Sequence, residues 1–508
     1  MEESTNKMDY KIAFAFIAFA FLFVFFNSKC SPLYLFNEWG DPNIYFSMGK
    51  GAMNGQTLYK DIFDHKGPLI FFIYGIGYLI SNDTFLGIYF LESIALFVNL
   101  LFAYKLAKLF LNKQNAFITS LVYSLFLFNK TYLGGSAEEF ISPFLLISFY
   151  YFILYFRNDE MPYKKAMKLI FLQGMLFALV LLTKLNICIF WVPLVAAIGF
   201  ELLIQKEYKK TILFASAFLG GVIFIFIPFI AYFGFKSALN DFYFGYITFN
   251  SLYAEFEMSF GTVRKVGGRF FKQILSDYIS FPLTLLGVCL VSFTTLYVKR
   301  TVYRIGIFLS FALSYIMIVI VPYVMTYALV IIYIYALIAV IFLLYKLEEH
   351  TRIKSYPLVY TIVFTTVMVL GINQKRFFDQ DAECLTRRME CNYMQKEFAR
   401  IIKQEQAPTL LDLGLDHGVF TKAGLVPSYK YFFSPNIPYN VFPEIVDYQS
   451  DLIKRKEPIF VVFGNTTPAR QHFTELIEKG NGYELISTFR QDIGAFDTEV
   501  YLYKRKEQ

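Results

Sequence analysis

Charge is scarce in this chain. Only 17% of its 508 residues are Asp, Glu, Lys or Arg, whereas 56% are apolar and 20% aromatic, and mean hydropathy is +0.47. An ordinary soluble domain carries about 25% charged residues, so that class is excluded and a polytopic membrane protein is implied. Histidine numbers four and cysteine five, too few and too scattered for a His-rich metal centre or a disulfide scaffold. Cys188 and Cys289 lie inside apolar runs, and only Cys384 and Cys391 are close together. A disulfide between those two requires their segment to lie outside the reducing compartment. No small-residue cleavage site follows the first apolar run, Tyr10 to Phe26, which reads as a retained anchor rather than a signal peptide. The net charge of +7 is no nucleic-acid signal, because most Lys and Arg residues sit in short loops between apolar runs.

What is present is length of apolar run. A bilayer core of roughly 30 Å needs about 20 apolar residues per helix. That criterion predicts eleven crossings, near 10–28, 84–104, 114–129, 138–156, 166–183, 186–204, 211–233, 277–297, 304–321, 327–346 and 357–373. Short cytoplasmic loops are enriched in Lys and Arg. Here the basic clusters fall at every second loop: Lys7 and Lys11, Lys105 to Lys113, Arg157 to Lys168, Lys206 to Lys210, Lys299 to Arg304 and Lys346 to Lys354. The parity puts the N-terminus in the cytoplasm of a cell (plasma or inner) membrane. Pro68 to Ile80 is apolar but about 13 residues long, short for a crossing, and counting it would turn every later basic loop outward. It is therefore expected along the outer face as a juxtamembrane helix, with 29–83, 234–276 and the C-terminal part on the extracytoplasmic side.

The chain divides into a transmembrane part, 1–373, and an α/β domain, 374–508. In the latter, strands are expected at 409–413 and 458–463, helices at 443–456 and 468–479, and a closing strand pair within 483–503.

The richest chemistry lies in the first outer loop. Glu38 and Asp41 precede a run with amphipathic spacing (Tyr45, Phe46, Met48, Gly49, Met53), and Asp61, Asp64, His65 and Lys66 follow it. A carboxylate there can take a proton from an acceptor hydroxyl, and an ammonium can hold a phosphate leaving group. A solvated interfacial loop is the plainer reading. Glu138 and Glu139 open the fourth crossing, where carboxylates also serve a helix N-terminus. Lys184 sits in the turn between the fifth and sixth crossings, as suited to snorkelling as to a donor contact. Arg264, Lys265, Arg269 and Lys272 form a cationic set in 234–276, with Arg269 foremost for its planar fork. The same set would suit anionic lipid headgroups. The residues allow a carboxylate-bound divalent ion but require no cofactor; Glu38, Asp61, Asp64, His65, Glu138 and Glu139 are the candidates for binding the acceptor or such an ion. Aromatic segments such as Tyr243 to Tyr253 and Tyr323 to Tyr327 read as an interfacial belt before they read as sugar platforms.

An acid after the first crossing (Asp41), a Gly55, Leu58, Tyr59, Asp61 step, and Asp64-His65-Lys66-Gly67-Pro68-Leu69 opening a short apolar helix resemble glycosyltransferase family 39 and its bacterial relatives. These belong to the GT-C superfamily, with the protein O-mannosyltransferases and the lipid A aminoarabinose transferase. The resemblance runs more weakly through Glu138-Glu139 and Leu182-Thr183-Lys184. It implies a hexosyl- or pentosyltransferase of the bacterial envelope that works on the outer face. Its donor would be a polyprenyl-phosphate sugar and its acceptor a glycan, lipid or protein. Asp41 would be the base, and Lys66, with Arg269 and Lys184, would contact the donor phosphate. The paired Asp-Glu of the eukaryotic mannosyltransferases is absent, since Pro42 follows Asp41. Glu38, three residues earlier, is left either to assist Asp41 or to hold the loop.

Two other classes are weighed. A lipid-linked oligosaccharide polymerase or ligase would carry a large arginine-bearing outer loop, of which 234–276 is a modest version. A transporter or flippase would show charged or broken helices at midplane, and these spans are largely uncharged.

Overall fold

The computed structural model describes residues 10–128, 133–158, 161–252, 268–270, 272–274, 276–277, 279–320, 326–350, 357–373, 393–465, 467, 469–480, 482–490 and 499–506. Each of the eleven apolar runs contains a helix. The first nine helices in chain order are α1 (Tyr10–Asn27), α2 (Gly40–Met53), α3 (Pro68–Ile80), α4 (Leu86–Ala107), α5 (Lys113–Leu127), α6 (Ala137–Arg157), α7 (Tyr163–Leu181), α8 (Trp191–Ile204) and α9 (Tyr208–Phe235). Helices Ser280–Phe293, Thr301–Val319, Ile334–His350 and Pro357–Asn373 follow. Among the described residues, six helical spans suffice by length and composition to cross a membrane: α1, α4, α6, Leu185–Ile204, α9 and Thr301–Val319. The sixth and tenth apolar runs do not open as α-helix. They begin in tight turns, Leu185–Phe190 and Thr326–Ile331, which shorten the regular helix and aim side chains at the end of the bundle.

Local chemistry sets several boundaries. Asn112 accepts from the backbone N–H groups of Gln114 and Asn115 at the start of α5, and Ser136 from that of Glu139 at the start of α6. Pro68 opens α3, where its missing N–H leaves nothing unsatisfied. The bundle core joins α1, α4 to α8 and the later spans through residues such as Phe16, Phe149, Trp191, Phe281 and Tyr335, all buried. α9 stands apart, since only Phe214, Gly221 and Phe233 of its 28 residues are buried.

The C-terminal part forms a four-stranded sheet in the order β1-β2-β4-β3, from β1 (Leu410–Asp412), β2 (Phe460–Gly464), β3 (Tyr483–Arg490) and β4 (Glu499–Arg505). β1 runs parallel to β2, with Leu411 opposite Val461, and the other pairings are antiparallel. Strand alternation divides the apolar side chains. Leu411, Leu413, Val461 and Phe463 pack with Phe473 and Ile477 on one face. Leu410, Phe460, Val462 and Leu502 face the other way, into a core that continues through Phe398 and Phe420 to Phe46, Phe71 and Tyr45 of α2 and α3. One apolar core thus joins the sheet to the juxtamembrane helices.

Candidate active site

Asp41 stands in the first turn of α2, followed by Pro42, a placement that suits both residues at a helix N-terminus. The Tyr327 hydroxyl donates to Asp41 Oδ2 at 3.3 Å, and the Tyr327 ring meets Trp39 edge-on at 4.8 Å. Tyr327 belongs to the tight turn that opens the tenth apolar run. It reaches across 286 residues to the acid.

The second strand of the site is the backbone of residues 64–69. Gly67 N–H donates to Thr183 O at 3.1 Å and Leu69 N–H to Leu182 O at 2.9 Å. From the other side, the Tyr59 hydroxyl donates to Lys66 O and Asn250 Nδ2 to His65 O, each at 2.6 Å. A Cβ on Gly67 would lie 2.2 Å from Leu182 O, so only glycine allows the two segments to meet. His65 and Lys66 are thereby held on fixed backbone.

Their side chains form a short relay with Asp64. Lys66 Nζ lies 2.9 Å from His65 Nε2, and His65 Nδ1 lies 3.2 Å from Asp64 Oδ1. An ammonium has only protons to offer, so Nε2 accepts and the ring proton faces Asp64. Burial and then the Lys66 charge push the imidazole below its usual range, consistent with a neutral ring. Burial alone would raise Asp64, but His65 and Lys66 beside it hold the carboxyl below the ordinary range. Asp64 Oδ2 is buried with no hydrogen-bond partner among the described residues.

Glu138 and Lys184 also come together. Lys184 Nζ pairs with Glu138 Oε1 at 2.6 Å, with the carboxylate 2% exposed. The charges of Asp41, Glu138 and Asp64 all act on the fully buried Tyr45 hydroxyl, whose pKa is driven far above its usual value by burial first and by these anions next. Asp41 also acts on His65. The charges of four acidic and basic residues singled out in the sequence, Asp41, Asp64, Lys66 and Glu138, therefore act on Tyr45 of α2 or on the His65 imidazole.

The remaining candidates have other neighbours. Glu38 takes both its oxygens to Lys29 Nζ, at 2.6 and 2.8 Å. Asp61 accepts from Thr57 N–H at 2.7 Å and closes the turn in which Tyr59 takes φ 67°. Glu139 accepts from Gly135 N–H at 3.1 Å. Arg269 donates to the Val319 carbonyl at the end of Thr301–Val319, and Lys272 is exposed. Arg264, Lys265, Cys384 and Cys391 lie outside the described residues. Among the described residues no three His, Cys, Asp or Glu side chains gather as a metal set. Asp64 with its unpartnered oxygen is the best oxygen donor for a cation, but His65 beside it is directed to Lys66.

Three further residues contribute: Tyr45 and Tyr327, which the sequence presents only as members of an amphipathic run and an aromatic segment, and Glu92. Glu92, fully buried in α4, accepts from Ser28 Oγ at 2.7 Å and from Gly135 N–H, fixing the loop that leads to Glu138. Its signal was a lone carboxylate within an apolar run. Tyr327 gave none beyond an aromatic cluster.

Residues 65–233 match the family described as dolichyl-phosphate-mannose-protein mannosyltransferase. The matched segment begins at His65, includes Lys66, Glu138, Glu139 and Lys184, and leaves out Asp41. The chain superposes on ArnT from Cupriavidus metallidurans bound to undecaprenyl phosphate with TM-score 0.58, at 10% identity and 97% coverage of both chains. The archaeal oligosaccharyltransferase AglB from Archaeoglobus fulgidus, in complex with an inhibitory peptide and a dolichol-phosphate, gives 0.54 at 12% identity, over 96% of this chain and 74% of that one. ArnT in the apo state gives 0.54 at 10% identity, covering 96% and 97%. No curated protein matches the chain by sequence. The fold is the polytopic one of ArnT and AglB, as the resemblance read from the sequence implied.

Proposed function

We propose that the chain is a GT-C membrane glycosyltransferase that moves a sugar from a polyprenyl-phosphate donor to an envelope acceptor at the extracytoplasmic face. The observations that carry this reading are Asp41, bonded by Tyr327 in the first turn of α2, and the His65-Lys66 step tethered on fixed backbone, whose imidazole feels the Asp41 charge. Undecaprenyl phosphate bound to ArnT and dolichol-phosphate bound to AglB, both on this fold, supply the donor class.

Asp41 acts as general base. Its carboxylate takes the acceptor hydroxyl proton while that oxygen attacks the anomeric carbon, and the glycosidic bond to phosphate breaks on the opposite face. The polyprenyl phosphate leaves with the bonding electrons, so one displacement inverts the anomeric centre without a covalent enzyme intermediate. Tyr327 orients Asp41. Lys66 stabilises charge growing on the departing phosphate, and neutral His65 holds the lysine amine in place. Lys184, steadied by Glu138, is a second cation for the same phosphate. If a divalent ion takes part, Asp64 is its foremost ligand and it would share the phosphate charge with Lys66. Residues 1–373 supply this machinery, and 374–508 form the extracytoplasmic domain beside it.

The test is Asp41→Asn in the purified full chain, supplied with a polyprenyl-phosphate sugar and an envelope extract as acceptor. Loss of about 10²-fold or more in transfer from a folded variant is expected, and retained transfer would sink Asp41 as base. Product mass separates single-sugar transfer from transfer of a whole lipid-linked oligosaccharide. Cytoplasmic labelling of cysteines placed in 393–506 would overturn the orientation.

A further inference from the structure

The sheet domain does more than pack beside α2. The loop between β1 and the short helix Val419–Ala423, residues 412–418, touches α2 at its first residue and at its middle. A Cβ placed on Gly40 would lie 2.7 Å from Leu415 O, so the Leu415 carbonyl rests against the backbone immediately before Asp41. About two turns further along, Ser47 Oγ donates to Asp416 Oδ2 at 2.9 Å, both residues being buried. A Cβ on Gly418 would meet the Phe36 ring at 2.6 Å and Asn43 Oδ1 at 3.0 Å. Asn43 in turn donates to Asn37 O and Trp39 O, at 2.9 and 2.8 Å.

The loop is itself rigid. Asp412 accepts from Gly414 N–H at 2.9 Å and from His417 N–H at 2.8 Å, and His417 Nδ1 lies 2.8 Å from Asp412 Oδ1. Asp416 accepts from Gly418 N–H at 2.9 Å while holding φ 52°. A non-glycine residue in the left-handed region costs about 1 kcal/mol or more. That conformation is kept here where the Asp416 side chain is needed to reach Ser47.

We propose that the 412–418 loop is a positioning element for the catalytic acid, with Asp416 setting through Ser47 the placement of α2 and hence of Asp41 against Tyr327. The inference rests on the reading of Asp41 as base, and it gives the sheet domain a part in catalysis without contact with substrate. Asp416 holds Ser47; Ser47 fixes the helix; Leu415 limits how far its first turn can move.

The chain offers a spectroscopic reporter of that placement, because it has two tryptophans, Trp39 and Trp191. Trp39 adjoins Asp41 and Tyr327, whereas Trp191 is buried in the bundle. In the full-length W191F background, emission and acrylamide quenching read α2 alone. Asp416→Ala is expected to raise Trp39 quenching at least twofold with helical content kept. Asp416→Asn should stay close to the parent, because its amide oxygen still accepts from Gly418 N–H and its NH2 donates to Ser47 Oγ. Ser47→Ala approaches the same bond from the helix side, leaves the loop intact, and keeps the test decisive if Asp416→Ala fails to fold. The Ser47→Ala/Asp416→Ala double variant should quench no more than Asp416→Ala alone.

Unchanged Trp39 quenching in a folded Ser47→Ala or Asp416→Ala protein would overturn the proposal, as would additive effects in the double variant. These readouts need no turnover. A failure here is therefore distinct from retained transfer by Asp41→Asn, which overturns the base assignment instead.

Discussion

Inside the helical bundle the buried polar groups are neutral. Gln173 Nε2 donates to Ser148 O at 3.1 Å, and its Oε1 accepts from Trp191 Nε1 at 2.9 Å and from Ser148 Oγ. Asn99 donates to Ser142 Oγ at 2.8 Å, and Tyr335 to Ser310 Oγ at 3.2 Å. At the end of the bundle, where α2 and α3 lie, neutral groups such as Asn37, Asn43 and Ser47 are joined by buried ionic ones: Asp64, Glu138 paired with the partly exposed Lys184, Glu92, and Lys50. A neutral hydrogen bond costs little to bury and contributes about 1 kcal/mol net, so the interior network serves packing. A buried charge costs several kcal/mol even when paired. Its concentration at one end is explained by chemistry there and not by stability.

This contrast can be broken in four ways, taken from the largest expected effect. Asp41→Asn should reduce transfer by about 10²- to 10⁴-fold with an unchanged melting curve in detergent, since the lost partner is one 3.3 Å bond from Tyr327. Glu138→Ala should destabilise by about 1.5–3 kcal/mol, through loss of the charge-assisted hydrogen bond to Lys184, whose side chain is 26% exposed; Glu138→Gln should cost less. Calorimetry of both variants checks the order.

Lys50→Met should have the opposite sign. The Lys50 amine is buried over the Phe46 and Tyr78 rings, 5.2 and 5.7 Å away, and has no hydrogen-bond partner among the described residues. Burial lowers its pKa from 10.5 to about 7, against the raising influence of Asp83 and Asp416. Between these values the unfolded chain binds more protons than the folded one, so stability rises as pH goes from about 7 to 10.5 and is lowest at and below 7. The variant should therefore melt higher than the parent by on the order of a few kcal/mol below pH 7, the gap closing toward pH 10. A gap independent of pH would refute it. The smallest effect belongs to the neutral network: Gln173→Leu should cost about 1–3 kcal/mol and leave transfer unaltered. A catalytic defect there would erase the distinction between interior and end.

Much of this architecture could be read from local pattern. Apolar run length located the eleven helices, and Pro68 with 13 apolar residues located α3, because both signals are carried by neighbouring residues. The pattern after residue 409 located the strands in the same way, while their parallel and antiparallel pairing came only with the fold. The Glu138 and Lys184 pairing was not visible, since both had local readings, a helix N-terminus and a snorkelling turn. Tyr327 was hidden more deeply. Its aromatic neighbours suit any membrane interface, and its bond to Asp41 spans most of the chain. The same holds for Asp412, Asp416 and His417, which look like an ordinary loop until the fold carries them to α2. Glu38 stood closest to Asp41 in sequence, and Lys29 claims it instead.

The exposed helix α9 carries a consequence in terms of lipid. Its 28 residues make a rod of about 42 Å, against a hydrocarbon slab of roughly 30 Å, so it must lean, bend at Pro228 or protrude. Its far end is fastened to the segment between α2 and α3: Phe233 stacks on Phe242 at 4.5 Å and meets Tyr59 at 5.7 Å, and Lys60 Nζ reaches Lys236 O at 3.2 Å. Tyr59 in turn holds the Lys66 carbonyl. Bilayer thickness, by setting the tilt of α9, thus bears mechanically on the segment that presents Lys66.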